Sequence, residues 1–590
     1  MTTSVDAAIE MILSKQIDKQ DALRTFSAWS DHERDLIVTG LKARMDVAAP
    51  AAPPPPSAPL AQPQRMLASL HELNITERQS AFIGQLARDY ETMVPKSKDN
   101  ALRHQAYFVD QRKTAGLKRS LKSIQFQLTY ERADGAYIWD IDGNKYIDLT
   151  GDNGVNLFGH QPPFMKKALI ERLHQGYPLV AYSEDLFEAA RLFCELTGHE
   201  RMVFAQSGTE AVMWAVRIAR AATGKKKIVV FDGSYHGLSD AVLAFRDRKG
   251  GSMSAGLGML QEFADQLIIL DYGDMAHLDF IEQNAGQIAC VLVEPIQSRF
   301  PSRQPPEFVT ALRTLTLEQD IVLIFDEMIT GFRAGCKGAA AFFGVTPDIA
   351  TYGKVVGGGM PTGVIGGLAK YMNYVDGGSW RFDDASMPSL KRTMMAGTHT
   401  QNSLKVSAVL AICREMKHRC TVGADCNYET CFLNDLNHRT KVMADDINAY
   451  FLDKRVPMVT EYFSSLFRFQ VLDDPFGLTR EMFIILLKNQ CIETSTSGNC
   501  FLTTEHTDED LCAVVVAVKN TIDIMLREGF FTEAEAAPAA PAALPGAAPA
   551  PARAAASAAA QADHAGHAFR ADMLKELILA DLRSFQEMEG

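Results

Sequence analysis

Short apolar runs alternate with longer helix-compatible segments through the middle of this chain, and this alternation limits the fold more than any other feature. The runs cover residues 227–231, 267–270, 290–294 and 322–325. Each has the length of a buried strand, and strands that alternate with helical segments are typical of a parallel sheet covered by helices. We therefore predict an α/β fold with a large, mostly parallel sheet.

Polar residues follow some of these runs directly. The run 202–205 precedes Ser207-Gly208-Thr209-Glu210-Ala211, the run 322–325 precedes Asp326-Glu327, and Thr351-Tyr352-Gly353-Lys354 follows further along. Open α/β sheets bind ligands at the carboxyl ends of their strands. We expect these three groups to meet in one site.

The three groups have complementary chemistry. Lys354 offers an amine that can form a Schiff base, and Asp326 offers a carboxylate that can hold a pyridinium proton. Gly208 and Thr209 begin a predicted helix, 207–224, with a capping box of Ser207 and Glu210; a helix start suits a phosphate dianion. Singly, each group also fits a plain structural role. Together they predict pyridoxal 5'-phosphate as cofactor, with Lys354 and Asp326 as the catalytic residues.

Other candidates are less specific. Tyr235 and His236 follow the strand 227–231, where an aromatic ring either stacks on the cofactor or simply packs. Glu294, with Gln297 nearby, is a candidate to bind the ring's phenolic oxygen or the substrate. Arg468 either receives a donor carboxylate or is structural. We expect no metal site, because Cys420, Cys426 and Cys431 near His418 lack the paired spacing of zinc ligands.

Composition restricts the partners. The 590 residues carry a formal net charge of -13, which argues against general binding to nucleic acid or to anionic membranes. No apolar run of about twenty residues and no signal peptide is present, since Asp6 and Glu10 stand where a basic segment would be. We expect a cytoplasmic protein.

Two Ala/Pro-rich tracts divide the chain, and they read as extended linkers. The last segment has an apolar helical face, which either packs on the protein or is displayed for a partner. The predicted units are a helical module (1–46), a linker (47–64), a helical lead-in (65–125), a large cofactor domain (126–410), a small α+β domain (411–530), a second linker (531–565) and an amphipathic docking-type helix (566–590).

The stretch from about residue 73 to 527 resembles the class III, fold-type I aminotransferases, which include glutamate-1-semialdehyde aminomutase and ornithine aminotransferase. The matching positions are 135–140, 142–143, Gly159-His160, 207–211, 232–237, Glu294-Pro295, Asp326-Glu327, Lys354 and 357–359. Gly397-Thr398 is similar to the family loop whose threonine reaches the phosphate of the neighbouring subunit. The resemblance therefore implies a homodimer in which Thr398 binds cofactor.

A closer resemblance is to the aminotransferase domains of hybrid polyketide/nonribosomal peptide synthetases. It rests on 156–160, 352–361, 376–378, 499–502 and 506–510. It implies amination of a carrier-bound β-keto acyl chain by an amino acid donor. Because the terminal helices are tethered by linkers, we expect them to bind an acyl carrier protein or synthase module. Gly151-Asp152-Asn153 and Thr400-Gln401-Asn402 depart from the pattern. The alternatives are an aminotransferase or aminomutase acting on a free aldehyde or keto acid, and a non-catalytic scaffold.

Overall fold

The computed structural model describes residues 75–531, apart from 113, 115, 248–249, 421–427, 429, 473 and 475–476. The predicted helical module, the first linker, the docking-type helix and all but the first residue of the second linker lie outside the described residues. Among the described helices, none is long and apolar enough to cross a membrane.

The described chain alternates between strands and helices as the sequence indicates. The strands are β1 (Tyr130–Asp134), β2 (Tyr137–Asp140), β3 (Lys145–Asp148), β4 (Arg201–Ala205), β5 (Lys227–Phe231), β6 (Ala244–Arg246), β7 (Ser252–Ser254), β8 (Leu267–Leu270), β9 (Ile288–Val293), β10 (Val322–Asp326), β11 (Ile349–Tyr352), β12 (Gly363–Gly367), β13 (Met458–Phe463), β14 (Leu466–Val471), β15 (Ile492–Glu493) and β16 (Asn499–Phe501). The helices are α1 (Glu77–Met93), α2 (Pro95–His104), α3 (Pro163–Gln175), α4 (Glu184–Thr197), α5 (Gly208–Thr223), α6 (Gln261–Ala264), α7 (Ala276–Gln283), α8 (Pro306–Glu318), α9 (Gly338–Phe343), α10 (Ala369–Asp376), α11 (Ser403–Arg419), α12 (Asn434–Asp453), α13 (Leu478–Asn489) and α14 (Asp508–Arg527).

The central sheet has seven strands in the order β4-β12-β11-β10-β9-β5-β8. The pairs β11/β10, β10/β9, β9/β5 and β5/β8 are parallel, whereas β12 runs antiparallel to both of its neighbours. Every residue of β9 and β10 is buried, which explains why these strands are continuous apolar runs. The predicted α/β fold with a mostly parallel sheet is confirmed.

Helix α5 begins and ends where the sequence indicates. The Ser207 side chain accepts a hydrogen bond from the backbone N–H of Glu210, and Gly224 ends the helix with a left-handed φ of 68°. The capping box, however, is not closed as predicted. The Glu210 carboxylate accepts from the backbone N–H of Gln206, one residue before the cap.

The smaller sheets join distant parts of the chain. Strand β15 pairs in parallel with β3, so the segment 130–148 shares a four-stranded sheet with a strand from the C-terminal part. Strands β13, β14 and β16 form a separate three-stranded sheet. Helix α11 packs against α3 and α4 beside the central sheet. The predicted domain boundary at 410/411 falls inside α11. The predicted large domain, which starts at residue 126, contains β1–β3, whereas their partner strand β15 lies in the predicted small domain.

Candidate active site

One pocket at the carboxyl ends of β4, β10 and β11 collects the predicted site residues. Its volume is about 230 Å³. Its lining includes all but one of the predicted cofactor and catalytic residues, namely Gly208, Thr209, Tyr235, His236, Glu294, Asp326 and Lys354. Ser298, Met328, Ile329 and Thr362 also line it, and the sequence analysis did not single them out. Met328 and Ile329 directly follow the Asp326-Glu327 pair, so their proximity to that pair was the available signal.

Asp326 is buried at the end of β10 and is held by three donors. Its Oδ1 accepts from the backbone N–H of Met328 at 3.2 Å and from Thr351 Oγ1 at 3.1 Å. Its Oδ2 lies 2.8 Å from Nδ1 of His236, which is also buried. These contacts fix the orientation of the carboxylate at the pocket wall.

Glu294 connects two loops of the pocket. One carboxylate oxygen accepts from the backbone N–H of Ser298 at 3.0 Å, and the other accepts from the backbone N–H of Tyr235 at 3.3 Å. Burial raises the pKa of Glu294, and nearby Asp326 raises it further, while His236 opposes the change. Tyr235 remains 48% exposed, so its ring forms an accessible wall of the pocket.

Lys354 starts a 3-10 helix, Lys354–Gly357, two residues after the end of β11. It has a left-handed φ of 39°, an uncommon conformation that often marks functional positions. Burial lowers the pKa of the Lys354 amine, and Asp326 and Glu294 partly offset this effect. Nζ forms no hydrogen bond with any residue in the described part of the chain.

Neighbouring side chains approach the glycine backbone closely at the start of α5. A Cβ at Gly208 would lie 2.7 Å from Sδ of Met328, and a Cβ at Gly237, where φ is 89°, would lie 2.7 Å from Oγ1 of Thr209. The Thr209 hydroxyl accepts from the backbone N–H of Leu238 at 3.3 Å. Only glycine fits these two positions without displacing a neighbour.

Two buried charged residues, Glu327 and Arg333, hold loops near the pocket through hydrogen bonds. The sequence analysis did not predict these structural roles. Glu327 accepts from Thr330 and from the backbone N–H groups of Ala339 and Ala340, and burial raises its pKa to about 7. Arg333 donates to Ser465 Oγ at 2.8 Å and to the carbonyls of Leu502 and Gly154 at 2.9 Å, while burial lowers its pKa to about 9.

Arg333 thereby anchors a strained turn. Residues Gly151–Gly154 form one helical turn in which Asp152 and Asn153 have φ values of 52° and 59°. This turn lies beside the 3-10 helix that Lys354 begins. It is the first of the two segments that depart from the synthetase pattern.

Three candidates lie outside the pocket lining. Thr398 is exposed on a turn that follows Gly397. Gln297 is fully buried and donates to the Asp232 carbonyl and to Ser234 Oγ, both at 2.9 Å, so it braces a loop. Arg468 donates to the Ser497 carbonyl and to Asn499 Oδ1, both at 2.7 Å.

The pocket residues fit pyridoxal phosphate. They place an amine, a buried carboxylate and a glycine-lined helix start around one cavity, which are the groups that this cofactor requires. Fold and site together define a pyridoxal-phosphate-dependent transferase of fold type I.

The chain belongs to the class-III aminotransferase family, whose model matches residues 120–445. Members of this family depend on pyridoxal phosphate, so the chain is a pyridoxal-phosphate-dependent aminotransferase by family. The predicted cofactor and enzyme class are therefore confirmed. The alternative of a non-catalytic scaffold is not supported.

Solved structures agree with this assignment. A β-phenylalanine aminotransferase from Variovorax paradoxus is 26% identical, with a TM-score of 0.64, and the match covers 76% of this chain and 98% of that one. An omega-transaminase from Sphaerobacter thermophilus is 25% identical, with a TM-score of 0.63 and coverages of 72% and 97%. A glutamate-1-semialdehyde aminomutase from Pseudomonas aeruginosa, at 20% identity and a TM-score of 0.63 over 76% and 98% of the two chains, shares the fold.

Proposed function

We propose that this enzyme transfers an amino group from an amino acid donor to a carbonyl of a polyketide or fatty acyl intermediate held on a carrier protein. The reaction type follows from the family. The observation that carries the residue assignment is the single cavity shared by Lys354, Asp326 and the start of α5.

Bound pyridoxal phosphate supplies an aldehyde that condenses with amines and a ring that accepts the electron pair released when a C–H bond breaks. In our proposal Asp326 holds the proton on the ring nitrogen, and His236 and Thr351 keep its carboxylate in position. Gly208 and Thr209 bind the phosphate through their backbone N–H groups. Tyr235 covers one face of the ring, and Glu294 faces the same cavity.

Lys354 has two proposed tasks. Its Nζ amine would hold the cofactor, and when free it would take up the proton that leaves the donor's Cα. Both tasks need the neutral amine for part of the cycle. The lowered pKa of Lys354, caused by burial, raises the neutral fraction at a given pH.

The size of the cavity supports a substrate that reaches in from outside. About 230 Å³ is below the range of about 300–1,000 Å³ that is usual for drug-sized ligands, so the cofactor occupies most of the space. Only the reacting end of an acyl chain then enters. The synthetase-like segment 499–502 is held by two arginines, because Asn499 accepts from Arg468 and the Leu502 carbonyl accepts from Arg333.

We propose that the active enzyme is a homodimer. Thr398 is exposed and does not line the pocket of its own subunit, which suits a residue that completes the phosphate site of a partner. The family's members are typically dimers.

The terminal segments 1–46 and 566–590 are proposed to bind the carrier or a synthase module. A tethered helix raises the local concentration of a bound partner to about the millimolar range, which makes a weak contact sufficient. Deleting either segment is expected to slow amination of a carrier-bound acceptor and to leave the half-reaction with a free donor unchanged. Equal losses in both half-reactions, with lower thermal stability, would instead indicate helices that pack on the catalytic body.

The function is tested by intact-protein mass spectrometry of β-ketoacyl carrier proteins incubated with the enzyme and an amino donor. We expect the mass of the acyl carrier protein to increase by about 1 Da, which corresponds to replacement of C=O by CH–NH₂. With Lys354→Ala we expect no change in mass. Amination of free keto acids or aldehydes, with no change on any carrier, would favour the alternative of a free small substrate.

A further inference from the structure

Three cysteine side chains from separate parts of the chain meet in the interior, and we call Cys336, Cys420 and Cys431 the thiol cluster. Sγ of Cys420 lies 3.4 Å from Sγ of Cys336 and 3.7 Å from Sγ of Cys431. All three side chains are buried. None of them lines the cofactor pocket, so the thiol cluster is separate from the candidate active site.

Each member of the thiol cluster lies next to the end of a helix. Cys336 is two residues before the start of α9. Cys420 directly follows α11, and its backbone N–H donates to the Met416 carbonyl at 2.9 Å. The Cys431 carbonyl accepts from the backbone N–H of Asn434, the first residue of α12, at 2.9 Å. The backbone at Cys420 and Cys431 is therefore fixed by hydrogen bonds, which restricts where their sulfur atoms can lie.

The order of residues along the chain gives no indication of this cluster. The sequence analysis expected no metal site because Cys420, Cys426 and Cys431 lack paired spacing, but Cys336 precedes Cys420 by 84 residues. Cys426 lies outside the described residues. Since the fold brings Cys336 to the other two thiols, the absence of paired spacing does not argue against a metal here.

The separation of the sulfur atoms suits a metal bound by thiolates. Zinc binds cysteine sulfur at about 2.3 Å in tetrahedral geometry, which places two sulfur ligands about 3.8 Å apart. The two observed distances, 3.4 and 3.7 Å, are close to this value. A disulfide has a sulfur–sulfur distance of about 2.05 Å, so the thiols are not joined to one another by that bond.

Plain packing is the alternative explanation for buried thiols. A cysteine without a metal behaves as a small apolar residue, and Cys413, buried within α11, fits that description. Packing, however, requires only an apolar side chain of suitable size at each position. It does not account for sulfur at three positions that come from three segments and meet at contact distance.

We propose that the thiol cluster is a structural metal site that binds Zn²⁺ through the thiolates of Cys336, Cys420 and Cys431. Thiolates are soft ligands that favour zinc, and each thiol releases its proton when the metal binds. The three cysteines supply three of the four ligands of a tetrahedral ion. The proposal does not depend on the proposed function.

Zinc at this position would join the start of α9 to the ends of α11 and α12. Helix α9 is also connected to the candidate active site, because Glu327, the neighbour of Asp326, accepts from the backbone N–H groups of Ala339 and Ala340. Binding to the folded state alone stabilises it. We therefore expect the metal to stabilise this side of the protein without taking part in the reaction.

The metal content of the holoenzyme gives the first test. The enzyme is purified under reducing conditions from cells grown with added zinc, and inductively coupled plasma mass spectrometry measures the metal. We expect about one Zn²⁺ per chain. Cys336→Ala, Cys420→Ala and Cys431→Ala should each lose it. Cys413→Ala, which removes a buried thiol from α11 outside the cluster, is the control and should keep it.

X-ray absorption at the zinc edge requires no variant, so it gives an answer even where a substitution prevents folding. The zinc-loaded parent holoenzyme should show at least three sulfur ligands at about 2.3 Å, and the fitted number identifies the fourth ligand. A first shell that contains only nitrogen and oxygen, at about 2.0–2.2 Å, would place the ion elsewhere and overturn the proposal.

Three further results would also overturn it. The parent enzyme could hold no zinc after incubation with Zn²⁺ and a reductant. The three cluster variants could fold and hold as much zinc as the parent, which would indicate an adventitious ion only. Peptide mapping without reduction could find a disulfide between Cys420 and either neighbour in the freshly purified holoenzyme. None of these measurements involves amination, so the proposed function stands or falls separately.

Discussion

Nδ1 of His236 lies 2.8 Å from Oδ2 of Asp326, and both side chains are buried. Nε2 of the same histidine is also buried, with no hydrogen-bond partner in the described part of the chain. The carboxylate of Asp326 is therefore the polar group that the His236 ring contacts. This pairing leaves the carboxylate directed at the cavity instead of at solvent.

Asp326→Asn tests the role of that charge. The amide keeps the shape of the side chain but does not hold a proton on the ring nitrogen. We expect cofactor to be retained and the first half-reaction to slow by about 10²–10³-fold, the usual effect of removing one preorganised electrostatic group. Stopped-flow absorbance with a saturating donor measures this rate. A variant as fast as the parent enzyme would contradict the assignment.

Thr398→Ala tests the shared site. If the threonine completes the phosphate site of a partner subunit, the variant should lose cofactor faster on dialysis, and cofactor should stabilise the dimer by linkage. Light scattering with and without cofactor follows the assembly. Ser403→Ala, a change at the start of α11 that keeps Thr398, is the control. A fully active monomer would rule out this arrangement.

Lys405 makes the stability of the enzyme depend on pH. Its ammonium is buried and donates to the Ala205 carbonyl at 2.8 Å, and burial lowers its pKa to about 8, although Glu210 opposes the shift. The unfolded chain then binds more protons between about pH 8 and pH 10.5. The free energy of unfolding should rise with pH in this window. Below about pH 8, Lys405 is charged in the folded protein too, so the destabilisation by its buried charge reaches its full value there.

Lys405→Met removes this dependence. Urea unfolding of the apoenzyme should show that Lys405→Met raises the free energy of unfolding more at pH 7 than at pH 10, by about 2 kcal/mol. Lys417→Met on the exposed side of the same helix serves as the control. An equal difference at both pH values would show that Lys405 is not titrating as described.

The sequence predicted the central strands closely because a sheet covered on both faces requires continuous apolar runs. The observed β5 and β8 match the predicted ranges, and β10 differs by one residue. The pairing of β15 with β3 was not predictable, because it joins segments more than 300 residues apart and leaves no local pattern. Helix α11 continues without a break across the predicted boundary at 410/411.

In the site, too, residues in local sequence patterns were predictable, whereas contacts between distant loops were not. Gly208 and Asp326 were predictable because each follows an apolar run, and Lys354 was predictable from the motif 351–354 in combination with them. The contact of His236 with Asp326, and the anchoring of Gly154 by Arg333, depend on how separate loops meet.

The central claim is that Lys354 is the residue that binds the cofactor. Borohydride reduction of the holoenzyme, followed by peptide mass spectrometry, locates the attached pyridoxyl group directly. We expect the group on Nζ of Lys354, and we expect Lys354→Ala to fold but to carry no attached group after reduction. A pyridoxyl group on Lys405 or on any other lysine would contradict the account.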